Sequence, residues 1–61
     1  MLMYENNGVS VFLINGGESV TVVDKQQKRR LIYHVGFLGS WDQARRKCDE
    51  WARDNKKQEQ N

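Results

Sequence analysis

Proline does not occur in this sequence, cysteine and histidine occur once each, and no apolar run approaches the length of a membrane span. Each shortage excludes something. Without proline, every backbone amide past the first residue can donate to a helix or a ladder. Cys48 alone cannot form an intramolecular disulfide or a Cys-rich zinc site, which is compatible with a reducing, intracellular setting. The apolar start Met1-Leu2-Met3-Tyr4 gives way at once to Glu5-Asn6-Asn7, too soon for a signal peptide, so the expected location is the cytosol. His34 and Cys48 lack the further groups that a nucleophilic triad requires. No catalytic residue, metal site, cofactor or small-molecule substrate is therefore expected, and the chain is read as a binding module and not as an enzyme.

What is present fits one small domain. At 61 residues the chain lies near the lower limit for a self-sufficient core, so its margin of stability is expected to be thin. The net charge of +2 is too small to identify a nucleic-acid partner by itself, and any such case rests on local clustering.

Val9-Ser10-Val11-Phe12-Leu13-Ile14 is rich in β-branched and aromatic residues and runs into Asn15-Gly16-Gly17, whose residues accept positive φ. That pattern predicts a hairpin, with a return strand at residues 19–24. A lone glycine pair between antiparallel strands, with no helix after it, is a turn and not a phosphate loop. After the polar run Lys25 to Arg30, a third strand is predicted at 31–36. Ser40-Trp41-Asp42-Gln43 has the form of a capping box and predicts a helix from Ser40 to Asp54. Trp41, Ala44, Cys48, Trp51 and Ala52 form a stripe along it, and Asp42, Asp49, Glu50 and Asp54 are placed on its outer surface at spacings that suit Asp42–Arg46 and Asp49–Arg53 pairs. The expected fold is α+β: a three-stranded antiparallel meander packed on one face by a single C-terminal α-helix, over residues 8–55. Residues 1–7 are an N-terminal extension and 56–61 a disordered polar tail.

This arrangement leaves an imbalance. If Val9, Val11, Leu13, Val20, Val22, Leu31, Tyr33 and Val35 face the helix, alternation sends Phe12, Ile14, Val23 and Ile32 to the other side, with Ser10, Ser19, Thr21 and His34. Shifting the register exchanges the two sets without removing the excess. Phe12, Ile14, Val23 and Ile32 thus form a candidate protein interface for a second copy or a larger protein, since a contiguous apolar patch marks an interaction surface.

The basic residues divide in two. Arg45, Arg46, Lys47 and Arg53 have acidic neighbours within a helical turn, whereas Lys25, Lys28, Arg29 and Arg30 have only Asp24 nearby. The second group is a candidate phosphate-contacting cluster, with Thr21 and His34 as candidates for approaching the groove of duplex DNA.

The segment Gly36-x-x-x-Ser40-x-x-x-Ala44, with the bend aromatic Phe37, the alanines Ala44 and Ala52 and the pair Asp49-Glu50, resembles the arm-binding domains of phage and transposon tyrosine recombinases. It is also similar to the plant ethylene-response type of DNA-binding domain. The resemblance covers about half of the chain and lies mostly in positions that pack a helix on a sheet. It implies a strand face that enters the major groove, although the strand arginines those families use are absent here apart from Arg30 at the edge. The leading expectation is a small DNA-binding module, a regulator of the kind encoded by phages or mobile elements. Its alternative is a protein-interaction module that uses the open apolar sheet face.

Overall fold

The computed structural model describes residues 1–59 and arranges them as four strands and a helix: β1 Leu2–Asn6, β2 Val9–Ile14, β3 Ser19–Asp24, β4 Arg29–Tyr33 and α1 Phe37–Glu59. The strands form one antiparallel sheet in the order β1-β2-β3-β4, a meander, and the helix crosses one face of it. The α+β class and the single C-terminal helix are as expected, but the sheet has four strands and not three. The additional strand comes from the segment expected to be an extension. Asn7 and Gly8 both have positive φ, 47° and 82°, and close a two-residue turn between the paired residues Asn6 and Val9. That geometry matches the right-handed twist of the flanking strands and favours Asn-Gly. Tyr4 pairs with Val11, and a bulge between Leu2 and Tyr4 puts those two side chains on opposite faces.

Alternation fixes the core. Val9 and Val11 on β2 and Val20 and Val22 on β3 are fully buried beneath Ala44, Cys48, Trp51 and Ala52 of the helix. Three of those four helix residues are small, which lets the helix axis lie close to the valines. Tyr4, Leu13, Tyr33 and Trp41 pack around this centre. Trp51 is buried and Trp41 half-buried, with the Trp41 ring meeting Tyr4 edge to face at 6.3 Å.

The helix is longer than expected at both ends. It begins at Phe37 and not at Ser40, so Ser40 is not the cap of a capping box; its amide already donates to the Gly36 carbonyl, and its buried hydroxyl accepts from the Val35 amide at 3.0 Å. At the other end, Lys56 to Glu59 continue the helix where a disordered tail was expected, and the rest of that segment, 60–61, lies outside the described residues. A 23-residue helix spans roughly 34 Å, against about 20 Å for strands of this length, so its ends overhang the sheet. Phe37 and Leu38 are exposed for that reason. Val35, expected to face the helix, is exposed as well, and leans over Gly39. The third predicted strand shifts to Arg29–Tyr33, and the turn before it shortens to residues 25–28, closed by Lys28 at φ 55°.

A buried carboxylate anchors that turn. Asp24, 1% exposed, accepts from the backbone amides of Gln26 and Gln27, from Nδ2 of the fully buried Asn55 at 3.0 Å, and from Nε of Arg29 at 2.9 Å. The Arg29 guanidinium in turn stacks on the Trp51 ring at 4.4 Å and approaches Asp54 at 3.6 Å. Burial pushes the Asp24 carboxyl up, but the bonds from Arg29, Asn55, Gln27 and Gln26 outweigh it and hold the group below its ordinary 3.8.

Two stability predictions come from this packing. Trp51→Ala should cost on the order of 3–5 kcal/mol, comparable to the whole stability of so small a domain, and should appear as loss of a cooperative thermal transition. Because the folded Asp24 carboxyl titrates below its unfolded value, its contribution is complete above the ordinary carboxylate range and is lost as pH falls through the folded value. Melting temperature should therefore drop as pH is lowered below about 4. Asp24→Asn should lose about 2–3 kcal/mol at pH 7, the cost of a broken buried pair trimmed because Arg29 keeps a third of its side chain in solvent. It should also show a shallower acid loss. An acid limb identical in the variant and the parent would rule Asp24 out as its source.

Candidate interaction surface

The strand register assigns every side chain on the face opposite the helix. Three rows cross it. Glu5, Ser10, Val23 and Arg30 form the first, Leu2, Phe12, Thr21 and Ile32 the second, and Ile14 with Ser19 the third, which His34 joins through a 2.7 Å contact between its Nδ1 and Ser19 Oγ. Among the described residues no element covers this face. Phe12, Ile14, Val23 and Ile32 lie together on it, Leu2 and Ile32 being 52% and 43% exposed and the other three half-buried by their neighbours.

Size alternates on the two central strands. Each cross-strand pair joins one large and one small residue: Val23 with Ser10, Phe12 with Thr21, Ile14 with Ser19. The small ones sit in hollows, and all three are buried although no layer lies over them. Two of the three hydroxyls are engaged inside the sheet, Thr21 donating to the Leu31 carbonyl at 2.9 Å and Ser19 bonding to His34. Covering this face would strand neither hydroxyl without a partner.

The four basic residues singled out in the sequence separate. Arg29 points to the helix side, bound to Asp24 and stacked on Trp51, because it pairs with Asp24 and shares its face. Arg30 points to the open face at the β4 edge, and Lys25 and Lys28 are exposed on the turn; none of these three has an ion pair among the described residues. Thr21 and His34 do lie on the same open face as Arg30, but Thr21 is buried in its hollow.

On the outer surface of the helix two ion pairs form within a single turn. Asp42 pairs with Arg46, as its spacing predicts, and Glu50 pairs with Lys47. Asp49, expected to pair with Arg53 on the outer surface, instead faces β1: it accepts from Asn6 and Tyr4, and those two bonds hold its carboxyl below the ordinary value. Cys48 donates to the Val9 carbonyl, and burial, aided by the charge of Asp49, pushes its thiol up to about 11. A thiol so held stays protonated and is a poor nucleophile. The described residues contain no group of three or more His, Cys, Asp or Glu placed to hold a metal, and no helix among them is long and apolar enough to cross a membrane. A cleft lined by Asn6, Asn7, Ala52, Arg53 and Lys56 is open to solvent and does not enclose a ligand.

Sequence reasoning missed Leu2 and Glu5 as members of the open face, because it placed residues 1–7 outside the sheet. The Asn7-Gly8 dipeptide was the available signal. No family model, curated protein or solved structure matches this chain.

Proposed function

We propose that this chain is a non-enzymatic interaction module that docks on another protein chain through the open face of its sheet. One observation carries the reading: the face groups Leu2, Phe12, Ile14, Val23 and Ile32, while the hydroxyls of Thr21 and Ser19 turn inward to bonds within the fold. A surface that reads base edges needs donors and acceptors directed outward. A surface that packs against protein needs apolar bulk with few unpaired polar groups, and this face is closer to the second description, Ser10 being the one central hydroxyl without a bond among the described residues. A photo-crosslinking side chain placed at Ile32, compared in the native host with one at Gln43 on the outer helix surface, tests the idea. Protein adducts should form from position 32 and not from position 43. Equal yields, or none at position 32, would defeat it.

A second reading, contact with duplex DNA, rests on a different observation: Lys25, Lys28 and Arg30 are exposed near one another without an acidic partner among the described residues. They supply up to three phosphate contacts per chain, with Thr21 and His34 the nearest side chains to a groove. Binding should then weaken with salt at a logarithmic slope of roughly −3 per chain, and Lys25→Glu with Lys28→Glu should flatten it by about two units. Arg29 is excluded from this test, because reversing its charge would unfold the Asp24 cluster. Absence of binding to mixed duplexes at low salt would remove the reading.

A further inference from the structure

Resting on the docking role proposed above, we propose that the partner is a second copy of this chain, stacked face to face about a two-fold axis that runs parallel to the strands between β2 and β3. Rotation about that axis lays each central strand over the other's counterpart: β2 over the partner's β3, and β3 over its β2. Every row of side chains then meets its own reverse. Phe12 comes over the hollow at Thr21 of the partner subunit, Val23 over Ser10 of the partner subunit, and Ile14 over Ser19 of the partner subunit. All three central pairs join one large and one small residue, so all three place bulk over a hollow.

Charge agrees with size. Glu5 and Arg30 occupy opposite edges of a single row, three strand spacings or roughly 14 Å apart within one chain, too far to pair with each other. The same rotation sets Glu5 of each copy against Arg30 of the partner subunit, twice over. Packed sheets cross at about 30°, which offsets these rim residues by a few ångströms, a distance their long side chains absorb. A two-fold axis perpendicular to the strands serves less well. It would set Phe12 on Phe12 of the partner subunit, Thr21 on Thr21 of the partner subunit, and Arg30 toward the partner's His34, and it would leave Glu5 facing only the N-terminal ammonium, which already bonds the Leu13 carbonyl within its own chain.

The size of the face sets the strength. Strand spacing and length give a planar footprint of roughly 350 Å² per chain, about 700 Å² for the pair and below the roughly 1,200 Å² of stable specific interfaces, so the dimer is expected to be weak, with dissociation in the upper micromolar range.

Sedimentation equilibrium of the full chain from about 5 to 500 μM tests the proposal, with a monomer–dimer equilibrium as the expected result. The decisive variants are at the rim, where both residues are exposed and folding is not at stake. Glu5→Arg and Arg30→Glu should each weaken self-association by on the order of tenfold, because each homodimer then sets like charges together. An equimolar mixture of the two variants should recover wild-type affinity, since every rim pair in the mixed dimer is again opposite in sign. In the centre, Phe12→Thr and Thr21→Phe should each weaken the dimer, and the double exchange should restore it.

A wild-type chain that stays monomeric throughout this range overturns the proposal. So does a rim variant that dimerises as well as the wild type, or a mixture no tighter than its components. If the wild type is monomeric while a crosslinker at Ile32 still captures a different protein, the self-pairing fails and the docking role stands. Neither dimer nor adduct removes both.

Discussion

The rest of the fold depends on one buried carboxylate. Asp24 receives the turn that connects β3 to β4, the amide of Asn55 near the end of the helix and the guanidinium of Arg29, so it ties three segments distant in sequence to one point. Its influence reaches the surface through alternation. Because Arg29 is drawn to the helix side, Arg30 and Ile32 are sent to the open side, and the composition of that face is thereby set. Shifting β4 by one residue would expose Arg29, strand Asp24 in the interior and exchange both faces of the strand, a combination that costs far more than a domain of this size can sustain.

The core itself is modest. Four valines lie under a helix stripe of Ala44, Cys48 and Ala52, and small residues against β-branched ones allow close approach but supply little bulk. The aromatic residues compensate at the margins. Trp51 closes one side and is itself covered by Arg29, while Trp41 meets Tyr4 on the other. Tyr4 arrives from β1, so the N-terminal strand adds a pairing edge to the sheet and also a packing partner to the helix, reinforced by its bond to Asp49. The unusual feature of the domain is that its second face carries five large apolar residues, Leu2, Phe12, Ile14, Val23 and Ile32, with nothing among the described residues to cover it.

The sequence made most of this arrangement legible, and the failures have physical causes. Alternation in Val9 to Ile14 and Ser19 to Asp24 was strong enough to assign both faces of β2 and β3, and the stripe of Trp51, Cys48 and Ala44 placed the helix correctly on one of them. β1 was missed because Glu5-Asn6 looks polar; those residues are stabilised by partners at a distance, Asn6 by Asp49, which no local pattern reveals. The helix start was misplaced because Ser40 has the form of a cap, whereas its hydroxyl serves Val35 from inside the first turn. Arg29 looked like one of four equivalent cations because the sequence does not say which of them the nearby Asp24 binds, and its other partners, Trp51 and Asp54, lie more than twenty residues away in the chain. On the candidate surface the identity of the apolar residues was readable, but the pairing of large with small side chains emerged only once the strand register was known.

That register also bears on how the basic turn and the apolar face relate. A two-fold axis parallel to the strands leaves strand direction unchanged, so both copies would carry their β3–β4 turns at the same end of a dimer. Lys25 and Lys28 of each chain would then form a single cationic end. Arg30 would be withdrawn from it, since its charge is matched by Glu5 of the partner subunit across the rim. Contact with a polyanion would in that arrangement come from four lysines and no arginine, with the sheet face buried and unable to enter a groove. Backbone contact of that kind positions a protein on a duplex without reading its sequence. The apolar face and a base-reading face are therefore competing uses of one surface, whereas the apolar face and a phosphate-contacting turn are compatible, because the turn lies beyond the end of β3 and β4 and not on the face.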